Sequence, residues 1–257
     1  MISVIGAGAM GEALMAGWIA AGTSPDEIVA VDQDTDRLAR LRERRGVRSV
    51  EVSGVSVAEV VVVAVKPHHV ATALTDIAPH LGPEAVVVSV AAGVTLARLT
   101  EVLPEGQPVI RVMPNTPALV GRGVAGLAAG PTVTPEQIAR VVAMMEAVGI
   151  CVELPESQFD ALTAISGSGP AYLFLIAEAM IEAGVHQGLG RDVATRLVNG
   201  TFAGAAAMLE GVDASATELR ERVTSPAGTT AAALRVLDER ARSEEHTSEL
   251  QSLVDIS

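Results

Sequence analysis

Three glycines near the start of the chain, Gly6, Gly8 and Gly11, stand in the spacing G-x-G-x-x-G directly after the β-prone run Ile2 to Ile5. In a strand-turn-helix setting the first allows a tight turn, the second lets backbone approach a pyrophosphate, and the third lets helix pack close to strand. From Ala9 onward Met10, Ala13, Leu14, Gly17, Trp18 and Ala21 recur at helical spacing. The loop residues Gly6, Ala7, Gly8, Ala9, Met10 and Gly11 therefore sit at a helix N-terminus, whose free N–H groups and positive dipole end favour a phosphate. A second β-run, Glu27 to Val31, ends in Asp32, placed where an acid accepts hydrogen bonds from an adenosine ribose. Strand, helix and acid together predict a dinucleotide site.

Other candidates lie where later strands end, the edge at which doubly wound sheets bind ligands. They are Ala64-Val65-Lys66-Pro67, Val90-Ala91-Ala92-Gly93, and the stretch from Arg111 to Pro117 that contains Asn115. Lys66 is the only lysine in the protein, although a strand-end Lys-Pro is also a good turn by itself. In the second half, Ser166-Gly167-Ser168-Gly169-Pro170 and Thr224-Ser225-Pro226-Ala227-Gly228-Thr229-Thr230 each place hydroxyls and free N–H groups at a helix start. That arrangement suits a carboxylate, and equally makes a plain helix cap. His68 and His69 read as helix-start neighbours pointing different ways, and no metal site is expected. Cys151 reads as small buried filler at the end of a β-run; a single cysteine excludes a disulfide framework and fits a reducing cytoplasm.

The elements that must position these residues alternate. After Asp32 come a basic helix from Arg37 to Arg45, the β-branched runs Val60 to Val65 and Ala85 to Val90, and β-runs at Pro108 to Val112, Gly123 to Ala128 and Gly149 to Glu153. A helix from Pro135 to Val148 starts at the N-cap Thr134. Alternation of this kind predicts an α/β fold, a doubly wound Rossmann-type parallel sheet. Past Pro155 the β-runs stop and Ala- and Leu-rich helices follow at Pro170 to Ala183, Arg191 to Leu209 and Gly228 to Asp238, with Gly184 and Gly211 as candidate C-caps. The expected domains are residues 1–154, binding the dinucleotide, and residues 155–241, all helical. Residues 242–257 resemble translated sequencing-adapter read-through and are set aside as a non-native tail.

The formal charge of −13 argues against nucleic acid or an anionic membrane as partner, since either needs a basic face. No uncharged apolar run approaches the roughly 18 residues of a membrane span, and no secretion signal precedes the first strand, so a cytoplasmic protein is expected. The helical half carries too few polar residues for a wet surface, which points to burial against a second subunit.

Taken together, Gly6-x-Gly8-x-Met10-Gly11, Val65-Lys66-Pro67, Met113-Pro114-Asn115-Thr116-Pro117, Ser166 to Tyr172 and Thr224-Ser225-Pro226-x-Gly228-Thr229-Thr230 resemble the pyrroline-5-carboxylate reductase family, from Met1 to about Arg240. The resemblance implies hydride transfer from NADPH or NADH to 1-pyrroline-5-carboxylate, giving L-proline. It puts the dinucleotide on the glycine loop, Asp32, Ala64 to Pro67 and Ala91-Ala92-Gly93, with Asn115 near the nicotinamide. Ser225, Gly228, Thr229 and Thr230 would hold the substrate carboxylate and ring nitrogen, Thr230 touching that nitrogen as the catalytic hydroxyl. Ser166 to Tyr172 would support the pocket and open an all-helical dimerisation domain, giving a homodimer or higher homo-oligomer with a shared site. Asp32 opposes a 2′-phosphate and so argues for NADH, while Arg37 and Arg40 and the family's common use of NADPH argue the other way.

Two departures stand out: Ala227 replaces a family glycine, and the family continues past Arg240 with a further helix. A β-hydroxyacid dehydrogenase needs a lysine in its helical domain, and this chain has none after Lys66. An imine reductase for another cyclic imine, or a catalytically inactive NAD(P)-binding module, remain the alternative functions.

Overall fold

A computed structural model describes residues 1–241; the set-aside tail, residues 242–257, lies outside the described residues. In chain order the elements are β1 (Ile2–Ile5), α1 (Ala9–Ala20), β2 (Ile28–Val31), α2 (Thr35–Arg45), β3 (Arg48–Ser49), β4 (Val60–Val63) and α3 (Val70–Ile77). They continue with β5 (Val86–Ser89), α4 (Leu96–Thr100), β6 (Val109–Met113), β7 (Gly123–Ala129), α5 (Pro135–Glu146), β8 (Gly149–Glu153) and the single turn α6 (Phe159–Leu162). Four helices follow, α7 (Gly169–His186), α8 (Arg191–Gly211), α9 (Ala216–Arg222) and α10 (Thr229–Ala241).

The eight strands form one sheet in the order β3-β2-β1-β4-β5-β6-β7-β8. The order reverses between β1 and β4, as in a doubly wound fold. Neighbours run parallel except β6 and β7, which are antiparallel, so the expected parallel sheet carries one reversed step. The cause is the connection between those two strands, residues 114–122, which is too short for a crossover helix.

One sheet face packs Val4, Ile28, Val62, Val88 and Ile110 against Leu14 and Trp18 of α1 and Val141 and Met145 of α5. The other packs Ile5, Val61, Val63 and Val87 against Leu74 and Ile77 of α3 and Leu99 of α4. With both faces covered, β4 is Val-Val-Val-Val and buried throughout, with no polar alternation. Trp18 Nε1 donates to the Met144 carbonyl at 2.8 Å and ties α1 to α5. The α5 start is the expected N-cap Thr134 with Pro135 in the first turn, and Gln137 completes a capping box there.

By compactness the chain divides into Met1–Pro170 and a second unit beginning at Ala171. In the second unit the described buried apolar residues are Ala194, Val198 and Leu219, and α7 has none. One helical stretch, Glu156–His186, has a mean hydropathy of 1.3 and is long and apolar enough to cross a membrane by length and composition. This corrects the expectation that nothing in the chain reaches that threshold. Asp160, Glu178 and Glu182 break the apolar run without lowering its mean hydropathy enough.

Two expected helix signals also move. Gly184 is interior to α7, where a Cβ would lie 3.2 Å from Ala194 Cβ, so it serves close packing on α8. The stop lies further on: Gly188 has φ +96°, its N–H donates to Val185 O, and Leu189 N–H donates to Gly184 O, a Schellman closure. Ser166 to Pro170 is not a free helix start either. Residues Thr163–Gly167 form a π-helical turn joining α6 to α7, with Ser168 N donating to Thr163 O at 2.8 Å.

Candidate active site

The carboxyl ends of β2, β1, β4, β5 and β6 open on a cavity of about 1780 Å³, lined by the glycine loop, the turns after β4 and β5, and Met113, Pro114 and Thr116. Each glycine has a distinct local cause. Gly6 has φ +99°, and a Cβ on it would come within 2.9 Å of the Ala64 carbonyl oxygen. A Cβ on Gly11 would collide with the Gly6 carbonyl oxygen, so the helix can approach the turn only with glycine there. Gly8 faces open space and lines the cavity, so a Cβ there would intrude on a ligand and not on the protein. The first intrahelical bond of α1 is Glu12 N to Gly8 O, which leaves the first-turn N–H groups without helical acceptors. That cradle fits a pyrophosphate.

Asp32 closes the loop from behind. Its Oδ2 accepts from Ala7 N at 2.7 Å and from Arg37 Nη1 at 2.9 Å, and its Oδ1 accepts from Asp34 N at 2.9 Å. The side chain is 9% exposed. Burial raises its pKa, but the two backbone donors and the Arg37 guanidinium outweigh that and hold the carboxyl below the usual carboxylate range. Arg37 also reaches Asp34 Oδ2 at 3.3 Å. Both Asp32 oxygens are thus engaged within the protein, which the sequence spacing did not reveal.

Of the remaining cofactor candidates, Gly6, Gly8, Ala9, Met10, Asp32, Ala64, Val65, Lys66, Pro67, Ala91 and Ala92 line the cavity. Ala7 faces Asp32, Gly11 faces Gly6, and Gly93, at φ +74°, turns the chain beyond the lining. Asn115 is buried, its Oδ1 accepts from Val124 N at 2.8 Å and its Nδ2 donates to the Ser166 carbonyl at 2.9 Å. Its neighbours on the loop, not Asn115 itself, form the cavity wall. A nearby cluster escaped sequence reading altogether. Arg111 Nη1 meets Glu156 Oε1 at 2.9 Å, the guanidinium carbon lies 4.4 Å from the Phe159 ring centre, and Glu156 also accepts from Leu96 N at 2.7 Å. Arg111 lies 45 residues before Glu156, so no local pattern announces the pairing.

Ser225, Gly228, Thr229 and Thr230 lie in the second unit, on the turn between α9 and α10. Thr224 Oγ1 ends α9 by donating to Arg220 O at 2.7 Å, and Gly228 N donates to Ser225 O at 3.1 Å. A Cβ on Gly228 would lie 2.5 Å from Ser225 Oγ, so glycine is required for that hydroxyl to sit over the helix start. Ala227 has φ +58°, a left-handed conformation that favours glycine. Thr229 and Thr230 open α10.

His68 and His69 occupy a 3-10 turn with ring centres 4.2 Å apart, in edge contact, and so do not point apart as expected. Among the described residues no group of three His, Cys, Asp or Glu side chains could hold a metal. Cys151 lies mid-strand in β8 and is partly exposed, not at the end of its run; burial, then Glu146 and Glu153, push its thiol up to about 11.

Residues 156–253 match the pyrroline-5-carboxylate reductase dimerisation family, and residues 1–93 match the family described as NADP oxidoreductase, coenzyme F420-dependent. Pyrroline-5-carboxylate reductase of Mycobacterium tuberculosis is 45% identical, over 92% of this chain and 88% of that protein. The Escherichia coli protein of that name is 36% identical over 93% and 90%. Among solved structures, a pyrroline-5-carboxylate reductase from Coxiella burnetii superposes with a TM-score of 0.91 at 37% identity, covering 99% of this chain and 96% of that one. The Plasmodium falciparum pyrroline carboxylate reductase with NADP bound gives 0.83 at 27% identity, over 99% and 94%. The chain belongs to the pyrroline-5-carboxylate reductase family.

Proposed function

We propose that the protein reduces 1-pyrroline-5-carboxylate to L-proline with NAD(P)H, the nucleotide lying across the carboxyl ends of the strands and the imino acid on the Ser225 to Thr230 turn. The observation that carries this reading is the cavity at the switch point of the sheet, with its glycine cradle and Asp32 latch, in a chain 45% identical to a named reductase. The enzyme is an NAD(P)H-dependent oxidoreductase acting on a C=N bond. Bound NAD(P)H supplies a hydride to the ring carbon of that bond, and the ring nitrogen keeps its proton.

A protonated cyclic imine is already electrophilic, so the chain needs no strong acid, and its residues work by position. The first-turn N–H groups of α1 hold the pyrophosphate, and Gly8 leaves room for it. Ser225, Gly228 and Thr229 present a hydroxyl and helix-start N–H groups to the carboxylate. Thr230 Oγ1 faces the ring nitrogen and fixes its orientation. A homodimer covers the apolar surface of α7, where Leu173, Phe174, Leu175 and Ile176 are exposed in one chain. The single thiol fits a cytoplasmic setting.

Loss of reduced-nicotinamide absorbance on adding pyrroline-5-carboxylate, with formation of proline, tests the reading. No turnover with either nucleotide, despite nucleotide binding, overturns it. Replacing Thr230 by Ala is expected to lower kcat about 100-fold, the scale of lost orientation, with nucleotide Kd unchanged. An unaltered kcat removes Thr230 from the site.

A further inference from the structure

The π-turn between α6 and α7 contains a carbonyl that its own helix cannot serve. Four residues after Ser166 stands Pro170, which has no N–H, so Ser166 O lacks the donor an ordinary residue would supply. Asn115, 51 residues earlier and 7% exposed, fills that place: its Nδ2 donates to Ser166 O at 2.9 Å. The other half of the amide is held as well, Oδ1 accepting from Val124 N at 2.8 Å. The side chain therefore bridges β7 and the π-turn, and its own backbone belongs to the loop whose Met113, Pro114 and Thr116 wall the cavity. A Cβ on Gly167 would touch Met113 Cε at 3.0 Å, so loop and turn are in close contact there. The Arg111–Glu156 pair and the Phe159 ring attach the same helical segment to β6 a second time.

We propose that Asn115 is a positioning residue: its amide replaces the N–H that Pro170 lacks and so locks the Met113 to Thr116 wall of the cavity to the helix that continues into α7. The inference rests on the reading that NAD(P)H occupies this cavity. Both ends of the Asn115 amide are engaged within the protein, so in this proposal it acts through Ser166 O. The wall it fixes follows β6, four places along the sheet from β2 and Asp32, or roughly 19 Å at the usual strand spacing. Nucleotide affinity, set largely by the glycine cradle and the Asp32 end, is therefore insensitive to the bridge. Alignment at the β6 end, and with it turnover, is sensitive.

The test is a cycle of Asn115→Asp, Pro170→Ala and the double variant. Asn115→Asp keeps the acceptor for Val124 N and sets an oxygen against Ser166 O. It is expected to lower kcat by about tenfold or more with nucleotide Kd within twofold of the parent. Pro170→Ala returns an N–H to the helix, so it is expected to be near-silent alone and to recover most of the lost kcat in the double variant. An unchanged kcat for Asn115→Asp, an equal loss in the double variant, or a parallel weakening of nucleotide binding overturns the proposal. Should the parent protein turn over no pyrroline-5-carboxylate, the proposed reaction fails, but the bridge is still read from thermal midpoints. Non-additive midpoints across the cycle support it, and additive ones overturn it.

Discussion

At Asp32 one carboxylate accepts from Ala7 N, Asp34 N and Arg37, so a residue expected to meet a ribose also builds the glycine loop proposed to hold the phosphates. Because its folded pKa is lowered, its stabilisation is whole at neutral pH and is lost as pH falls through and below the ordinary 3.8. The unfolding free-energy difference between the parent and Asp32→Asn should accordingly shrink on acidification, measured by urea unfolding from pH 7 to pH 3; a constant difference removes the carboxylate from the account. Asp32→Ser frees Arg37 at the proposed ribose end of the site, and the kcat/KM ratio of NADPH to NADH should rise about tenfold, one charge-assisted contact. A fixed ratio would show that Asp32 does not set nucleotide choice. Cys151 behaves oppositely: its thiol is raised to about 11, so it stays protonated near neutrality. Alkylation by iodoacetamide should be slow at pH 7.5 and climb about tenfold per pH unit, levelling only near pH 11. A plateau by pH 9 would contradict the burial seen in β8.

The turn from α9 to α10 is where an element carries strain. Ala227 sits at φ +58°, a region that costs an L-residue about 1–2 kcal/mol. Glycine relieves most of that cost while loosening the unfolded chain, so Ala227→Gly should stabilise the protein by about 0.5–1 kcal/mol. Thermal unfolding decides it, and destabilisation would mean that the turn needs the Cβ. Gly228→Ala provides the contrast, since its Cβ would displace Ser225 Oγ. The glycine loop divides the same way. Gly8 faces open space, whereas Gly6 and Gly11 face backbone, so alanine at Gly8 is expected to act on nucleotide binding and alanine at the other two on folding.

For the whole molecule the governing fact is the apolar surface of α7. Phe174 is 68% exposed in a single chain, and α7 has no buried residue. A second copy is the cover consistent with the dimerisation family matched here. Phe174→Asp should weaken self-association by about 2 kcal/mol or more, the scale of an aromatic anchor, and light scattering should show a shift toward monomer at low micromolar concentration. A parent protein that is monomeric at every concentration would leave that surface unexplained.

Much of the site was legible in the sequence because it is local. The G-x-G-x-x-G spacing, the β2-terminal Asp32 and the strand-end turns depend on residues a few positions apart, and period and punctuation fix such elements. Buried β-branched runs likewise announced a sheet covered on both faces. What only the tertiary structure decided is non-local: the reversal at β7, the engagement of both Asp32 oxygens, the Arg111–Glu156–Phe159 cluster, and the capture of Ser166 O by Asn115. Hydrogen bonds between groups far apart in the chain leave no periodic mark. The motif Ser166 to Pro170 looked like a free helix start because proline and glycine usually punctuate; here the missing N–H is supplied from another element, and the helix runs on.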